Sequence, residues 1–437
     1  MGANSFESRR AKNARRRCAV VAVIALTTGC APAPERDPRT TAAPSPTQWQ
    51  SAGRAVDPAA AHWVGAFQSP KLTAVVQTAL VNNYDLKTAA ARVEAARAEA
   101  RIAGSELWPQ IGFAPSFDMQ QVTDEGFGAQ TFSAYQLLFN LNWELDIWGR
   151  IRAGKRSAEQ EATSVEADLH AARLSLAART AQTYFELAEA RLQQEAAEQS
   201  VHDRHTIVDL VRGRFARGLT RGLDLRLALT DLQDAEAAVA KARNRVQLAT
   251  RQLETLLGRY PAGRFKEDAA LPDPPPSLPV GVPSELLERR PDVSAALERL
   301  RSADSRLESA RKALLPRLAL TAEGGVRSPA LTELIDPRSA IYNLAAGLLQ
   351  PIFTGGRLTG EIAANEARAD EAINRYKETT LNAFRQVEQS LAAEERLRAQ
   401  EVALREAVTQ TIASQKLAVY SYQFGLIEIL TLLDSYR

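Results

Sequence analysis

An internal duplication is the sequence feature that most constrains the fold. Asp85 and Asp292 have an offset of 207 in residue number (292 minus 85), and Pro109 and Pro316 have the same offset. Two glycine-containing pairs repeat at this spacing: Gly149-Arg150 with Gly356-Arg357, and Gly218-Leu219 with Gly425-Leu426. Landmarks that share one offset indicate two copies of a single supersecondary unit. We therefore expect each structural element to occur twice.

The two copies are unequal in length. The first is assigned to residues 61–260 and the second to residues 284–437. The segment 261–283 between them is predicted to be an extended linker, because its prolines prevent a continuous helix. The first copy continues from Gly218 as far as Gly258, whereas the second ends at Arg437, shortly after Gly425. We expect the second copy to lack most of its last helix. Either the chain is truncated, which we favour, or the second hairpin is left half-built with an exposed apolar seam.

Long helical segments dominate both copies. Segments 72–107 and 284–315 have apolar residues three to four apart, which predicts helices. Segments 150–215 and 357–421 are rich in Ala, Glu and Arg and contain no Pro. Some 65 helical residues would extend ~100 Å, several times the diameter of a small domain. The glycines of segment 214–224 let the chain turn back, so an antiparallel coiled-coil hairpin is predicted.

Between the helices the apolar residues change to a period of two. This spacing predicts four strands, at about 109–120, 131–145, 316–327 and 338–353. In the second strand one face is apolar, and it carries Tyr135, Leu137, Phe139, Leu141 and Trp143. The repeat offset places Tyr342, Leu344, Ala346 and Leu348 on the corresponding face of the fourth strand. Strand phase is therefore expected to be the same in both copies.

The strands, rather than the helices, are the candidates for crossing a membrane. Beyond the N-terminal leader, no apolar run approaches the roughly 20 residues that a membrane helix needs. Four strands cannot close a barrel, and open edges in lipid would leave backbone groups unpaired, so several chains must share one barrel. Two chains would give about eight strands, whose side chains fill the interior, so three or more are favoured for a duct.

The N terminus predicts export and acylation. Basic residues precede the apolar run 18–26, an order that predicts a lipoprotein signal peptide over residues 1–29. The pair Gly29-Cys30 resembles the end of a bacterial lipobox, which would make Cys30 the acylated first residue; an ordinary secretory signal with a chance Cys is the alternative. Residue 31 is Ala rather than Asp, which favours the outer membrane. Residues 30–60 are predicted to be a disordered tether because they are rich in Pro, Ala and Thr.

Four fragments together resemble one known family. They are LNWELDIWGRIR, LLERRPDV, LLPRLAL and LLQPIFTGGRL. As a set they resemble the TolC-like outer-membrane efflux proteins, in the NodT/OprM-type lipoprotein branch, from about residue 63 to the end. The resemblance implies a mixed α and β membrane protein that forms a homotrimer. Its transmembrane β-barrel would be shared, with four strands per chain and twelve per trimer, and a long antiparallel α-helical coiled-coil barrel would continue it into the periplasm.

The resemblance also implies a function, a location and partners. The chain would be the passive channel component of a tripartite efflux system in the outer membrane of a Gram-negative bacterium. A periplasmic adaptor (membrane fusion) protein and an inner-membrane pump would supply substrate and energy. The hairpin tips that match the adaptor-contacting tips of the family are Phe215, Gly218 and Leu219 in the first copy and Tyr422, Gly425 and Leu426 in the second.

Acidic residues beyond the second tip glycine narrow the channel entrance in this family. The two matching positions here hold Thr431 and Asp434, so Asp434 is the stronger candidate for a pore constriction. Asp224 occupies the corresponding position in the first copy, and its alternative role is to cap the returning helix. The sequence therefore predicts one clear constriction carboxylate and one ambiguous carboxylate.

Other classes of function have weaker support. Lys plus Arg (54) nearly balance Asp plus Glu (52), which gives no sign of a nucleic-acid surface. The best candidate for a metal or catalytic cluster is His202, Asp203 and His205, and solvated coiled-coil residues are the simpler interpretation. We therefore predict no enzyme activity, no cofactor and no metal. The rival function is a periplasmic coiled-coil lipoprotein that bridges an envelope complex without forming a pore.

Overall fold

The computed structural model describes residues 32–44, 46, 48–51, 63–124, 128–265, 271–274 and 283–436. The predicted leader 1–29 and Cys30 lie outside these residues, and so does most of the predicted linker. The chain divides into two compact units. The described parts of residues 1–43, 91–168 and 287–381 form the first unit, and those of residues 44–90, 169–286 and 382–437 form the second.

Nine α-helices are found in the described residues. They are α1 (Pro38–Thr41), α2 (Pro70–Asn82), α3 (Tyr84–Ser105), α4 (Arg150–Ala216), α5 (Gly222–Leu256), α6 (Pro283–Arg289), α7 (Pro291–Lys312), α8 (Arg357–Gln423) and α9 (Ile429–Asp434). Local chemistry explains several boundaries. The Ser69 hydroxyl accepts a hydrogen bond from the Leu72 amide at the start of α2, and Pro70 occupies the first turn, where its missing N–H leaves no bond unmade.

The helices repeat with the offset found in the sequence. Helices α3 and α7 begin at residues 84 and 291 and both contain 22 residues. Helices α4 and α8 begin at residues 150 and 357 and both contain 67 residues. Helices α5 and α9 begin at residues 222 and 429, but α9 has 6 residues and α5 has 35. The two copies therefore share their backbone plan up to the start of the last helix.

A four-stranded antiparallel sheet lies in the first unit, in the order β1 (Gln110–Asp124), β2 (Gly128–Leu145), β3 (Arg317–Ser328) and β4 (Ala340–Leu349). Strands β1 and β2 extend beyond the predicted spans and β4 is shorter than predicted. Pairing in the first hairpin sets Gln110 opposite Asn142, and pairing in the second sets Arg317 opposite Leu349. The two pairs are counterparts under the repeat offset, so the hairpins have the same register.

One face of the sheet is apolar. Residues that pair across strands lie on the same face of the sheet. By this register, the apolar face includes Phe117, Tyr135, Leu137, Val326 and Leu344. Ring pairs strengthen this face: the centroids of Phe113 and Phe139 are 4.9 Å apart, and those of Phe117 and Tyr135 are 4.5 Å apart. The opposite face carries mainly polar and small residues, among them Gln136, Asn140, Asn142, Thr321, Glu323 and Asn343.

The principal core of the second unit joins α2, α4 and α5. Its fully buried members include Leu72, Tyr184, Leu187 and Leu253. The chain leaves α5 through Gly258, which has a φ of 70° and lies against the backbone of Asn82. A Cβ at residue 258 would approach the Asn82 carbonyl oxygen to 2.7 Å, so both the φ angle and the space at this position require Gly.

The described residues between 32 and 51, here called the N-terminal segment, differ from the predicted disordered tether because they form hydrogen bonds with later parts of the chain. In the first unit, the Arg36 guanidinium forms two hydrogen bonds to Asp304, of 2.8 and 3.0 Å, and the buried Tyr376 donates from its hydroxyl to the Pro38 carbonyl at 2.9 Å. In the second unit, the amides of Gln50 and Ser51 donate to the Glu388 carboxylate at 2.8 and 2.9 Å. Pro- and Ala-rich composition did not reveal these bonds, because their partners lie far away in the sequence.

No helix in the described part of the chain is long and apolar enough to span a membrane.

Candidate functional site

The first hairpin end joins α4 to α5 through a glycine turn. Gly218 has a φ of 70°, its amide donates to the Phe215 carbonyl at 2.9 Å, and the Leu219 amide donates to the Arg214 carbonyl at 2.9 Å. These bonds satisfy carbonyl groups at the end of α4. Phe215 and Leu219 are exposed, at 45% and 57%. The turn therefore presents two apolar side chains to solvent.

The second hairpin end repeats the same backbone bonds. Gly425 has a φ of 76°, its amide donates to the Tyr422 carbonyl at 3.0 Å, and the Leu426 amide donates to the Ser421 carbonyl at 2.8 Å. Leu426 is 72% exposed. Tyr422, which the sequence assigned to the contacting surface, is only 4% exposed. Its ring packs into the protein and supports the end of α8 from inside.

The two hairpin ends share one apolar cluster in the second unit. Its buried members are Ile207, Val208, Val211, Ala228, Leu232, Tyr422, Ile429, Leu432 and Leu433. Arg214 connects the ends directly, since its Nη1 donates to the carbonyls of Tyr422 at 3.1 Å and Gln423 at 2.8 Å. The guanidinium also lies 5.1 Å from the Tyr422 ring centroid, a cation–π contact. A residue of the first copy thus caps a helix of the second.

Asp224 and Asp434, the two candidate constriction residues, have different surroundings. Asp224 is buried, and its carboxylate accepts hydrogen bonds from the Thr220 hydroxyl and, at 3.2 Å, from the Arg221 amide. This is the helix-capping role, in which an acidic side chain satisfies amide groups at a helix start. Asp434 is exposed at the end of α9. Of these two candidates, only Asp434 therefore has a carboxylate that is available to the solvent.

Two further carboxylates lie near Asp434. A cavity of about 420 Å³ between α5 and α9 is lined by Leu227, Thr230, Asp231, Asp234, Leu430, Thr431, Leu433 and Asp434. Asp231 is buried and pairs with Arg204, the Nε and Oδ2 atoms being 2.8 Å apart. Sequence reasoning missed Asp231 and Asp234. The available signal was helical spacing, because Leu227, Asp231 and Asp234 follow the i, i+4, i+7 pattern of one helix face.

The candidate metal cluster remains in solvent on α4. The His202 and His205 side chains are exposed, and Asp203 accepts a hydrogen bond from Gln199 at 2.9 Å. No group of three or more His, Cys, Asp or Glu side chains within the described ranges is arranged to hold a metal ion. Near this helix, burial raises the pKa of Tyr436 above its ordinary value, and Asp203 adds to the increase.

Residues 75–259 and 282–437 match the sequence model of the family described as outer membrane efflux protein. The chain belongs to the outer membrane efflux protein family. It is 33% identical to the outer membrane protein OprJ of Pseudomonas aeruginosa, over 95% of this chain and 88% of that protein. It is 31% identical to the pyoverdine export outer membrane protein OpmQ of Pseudomonas putida, over 90% of this chain and 85% of that protein.

Solved structures give the same result for the fold. The chain is similar to the outer-membrane channel OprN, with a TM-score of 0.85, 25% identity and 92% of each chain covered. It is also similar to CusC, with a TM-score of 0.81, 25% identity, and 93% of this chain and 92% of that chain covered. The predicted mixed α and β fold of the TolC-like channels is confirmed.

Membership of the outer membrane efflux protein family also confirms the predicted function. The protein is an outer-membrane channel component of an efflux system, and the comparisons give no support to the rival bridging lipoprotein. Its relatives are channel proteins rather than enzymes.

Proposed function

We propose that three copies of this chain close one twelve-stranded barrel and form the passive duct of a tripartite efflux system. The four-stranded sheet carries this proposal. It has an apolar face suited to lipid, and β1 and β4 are its two edges within the described residues. An edge strand in lipid leaves its N–H and C=O groups unpaired at a cost of several kcal/mol each, roughly, so the edges must pair with other copies.

The number of copies follows from the space needed inside the barrel. Eight strands leave room only for their own side chains, and a duct requires a wider ring. Three copies supply twelve strands from the four in each chain. In this arrangement the apolar face contacts lipid and the polar face, with Gln136, Asn140 and Glu323, lines the duct.

The hairpin ends are the proposed contact with a periplasmic adaptor and an inner-membrane pump assembly. Phe215, Leu219 and Leu426 are exposed at the two glycine turns, and apolar side chains on ordered turns are suited to protein contacts. Gly218 and Gly425 set the turn geometry through their positive φ angles. Tyr422 contributes indirectly, since it is buried beneath the second turn.

Asp434 is the proposed constriction residue. It is exposed beside Asp231 and Asp234 at the cavity between α5 and α9, so three copies would bring several carboxylates to the duct entrance. Like charges close together repel one another and attract cations, which restricts passage through a narrow pore. We assign Asp224 to helix capping, because its carboxylate already bonds Thr220 and Arg221.

Acylation of Cys30 is proposed to anchor the chain to the outer membrane. The support is the basic and apolar leader followed by Gly29-Cys30. Metabolic labelling with a palmitate analogue tests this point, and we expect Cys30→Ser to abolish the label. Persistent label in Cys30→Ser protein would place the modification elsewhere.

Conductance tests the duct itself. Detergent-solubilised protein whose mass corresponds to a trimer is expected to give steady single-channel conductance in planar bilayers. A trimer that never conducts would contradict the proposed duct.

The constriction is tested by a substitution at Asp434. We expect Asp434→Ala to raise the resting conductance, whereas Asp209→Ala, at an exposed position on α4, should leave the conductance unchanged. Equal conductance of Asp434→Ala and the wild-type protein would contradict a role of Asp434 in the constriction.

A further inference from the structure

Only one strand junction inside the described part of the chain connects the two copies of the repeat. Strand β2 is the second strand of the first copy, and β3 is the first strand of the second copy. Their antiparallel pairing sets Phe139 opposite Gly324 and Leu137 opposite Val326. This junction therefore shows how the end of one copy pairs with the beginning of the next.

The same junction is needed between chains if the proposed trimer is correct. Strand β4 ends the second copy and β1 begins the first, so β4 of one chain would meet β1 of another. By the repeat offset, Phe139 corresponds to Ala346 and Gly324 corresponds to Phe117. The register seen inside the chain thus specifies a register between chains.

We propose that β4 pairs with β1 of a second copy of this chain in the register of the β2–β3 junction. Ala346 then lies opposite Phe117 of the partner subunit, and Leu344 lies opposite Met119 of the partner subunit. The proposal rests on the proposed trimer and adds the atomic alignment of its interface. The two hairpins have the same register, which supports this pairing, because both hairpins then occupy equivalent positions along the barrel axis.

The faces of the sheet provide an independent check on this register. Phe117 and Ala346 both lie on the apolar face, so the proposed pairing continues that face across the interface. A shift of one residue would set apolar side chains against the polar face, because successive residues point to opposite sides. A shift of two residues would keep apolar residues opposite apolar residues, so the faces do not exclude it. The repeat excludes it, because a barrel has one fixed total stagger between its strands and equivalent copies contribute equally to that stagger.

The two junctions differ at one position. Gly325 lies opposite Leu138, and a Cβ at Gly325 would overlap the Leu137 carbonyl oxygen, so β2 and β3 approach closely there. The counterpart of Gly325 in the first copy is Asp118, which has a side chain. The interface between chains must therefore be wider at that point. Test positions are best placed on the apolar face, which Asp118 does not share.

Disulfide trapping tests the register with one fixed cysteine and three partners. Ala346→Cys is combined in the full chain with Phe117→Cys, with Pro115→Cys or with Met119→Cys, and membranes are oxidised and analysed by non-reducing gel electrophoresis. Residues directly opposite each other have Cα atoms about 4.5–5.5 Å apart, within disulfide range, whereas partners displaced by two residues are roughly 7–8 Å away. We expect the Phe117→Cys combination to yield at least about fivefold more reducible dimer and trimer than either displaced pair.

Matched controls separate this register from the trimer on which it depends. Single Ala346→Cys and Phe117→Cys variants measure any contribution from the native cysteines. The equivalent pair inside the chain, Phe139→Cys with Gly324→Cys, should oxidise without joining chains, as shown by loss of thiol labelling. Mass measurement in detergent reports the oligomer independently.

Each outcome decides between the alternatives. Three results would overturn the proposed register without contradicting the trimer. They are maximal cross-linking with Pro115→Cys or Met119→Cys, equal yields from all three pairs, and a trimer that no pair cross-links. A monomeric mass together with oxidation of the pair inside the chain would overturn the trimer as well. Selective cross-linking of Ala346→Cys with Phe117→Cys supports the proposal.

Discussion

The two hairpin ends have the same backbone but are stabilised differently. At the first, Asp224 caps α5 from within the same turn. At the second, the corresponding residue is Thr431, the helix start at Glu428 has no side-chain cap, and Arg214 of the first copy instead holds the final carbonyls of α8. A duplicated backbone can thus persist while one copy becomes dependent on the other for its end contacts.

The flanking helices α3 and α7 show a similar divergence. Asp304 on α7 binds Arg36 of the N-terminal segment, and Glu308 accepts hydrogen bonds from the Ala33 amide and from Arg156. Their repeat counterparts on α3 are Arg97 and Arg101. The second copy therefore has carboxylates that bind the N-terminal segment at positions where the first copy has arginines.

Asp304→Ala is expected to have the largest effect on stability. It removes a buried carboxylate, 3% exposed, and leaves the Arg36 guanidinium without its partner. Breaking a buried ion pair in this way costs about 3 kcal/mol in free energy of unfolding, measured by denaturant titration in detergent. Arg97→Ala at the counterpart position is the control, because its ion pairs are exposed and its loss should not shift the titration. Equal effects would mean that α3 and α7 do not differ as described.

Arg214→Ala is expected to have the next largest effect. It removes two charge-assisted hydrogen bonds to the end of α8 and the cation–π contact with Tyr422, a loss of about 2 kcal/mol. Limited proteolysis should show faster cleavage near Phe424, at the second end only. Ser421→Ala, at the counterpart position in the second copy, should leave the cleavage pattern unchanged. Cleavage of both ends at equal rates would contradict the dependence of the second end on the first.

Asp224→Ala should destabilise the first end by about 1 kcal/mol, because it removes the cap of α5. Thr431→Ala at the corresponding position should have no measurable effect. The two variants can be compared by hydrogen exchange of the first-turn amides of α5 and α9. A cost for Thr431→Ala as large as that for Asp224→Ala would show that both ends are capped alike.

The smallest expected effect is a pH dependence of stability that arises from Glu308 in the second copy. Burial opposes ionisation of Glu308, but the bonds donated by Lys312 and the Ala33 amide outweigh it and hold the pKa of that carboxyl below its ordinary value. A lowered folded-state pKa contributes stability that is present above the unfolded-state pKa and lost as the pH falls through the folded-state pKa. Melting curves between pH 7 and pH 3 should therefore show a loss that Glu308→Gln reduces. An unchanged pH profile in Glu308→Gln would assign the loss to other carboxylates.

The sequence predicted those features that depend on spacing. A period of two identified the apolar face that includes Leu137 and Leu344, and the recurrence of Gly218 and Gly425 located both turns. Features that depend on contacts between distant segments were not predictable. The Arg36–Asp304 pair joins residues 268 positions apart, and neither residue type is unusual for a solvated surface. Tyr422 was expected at the contacting surface, whereas its side chain is buried in the structure, because an aromatic side chain beside a glycine turn gives no indication of which way it packs.

The constant offset between the two copies has an evolutionary consequence. From residue 84 to residue 222, the first copy has the same net length as the corresponding part of the second copy. One extra residue in α4 or α8 would rotate everything beyond it by about 100° and move it by roughly 1.5 Å along the helix axis. An extra residue in a strand would exchange the apolar and polar faces beyond it. A length change in one copy alone would therefore break the equivalence of the two copies, whereas side-chain changes leave it intact, so we expect the copies to diverge more readily in side chains than in length.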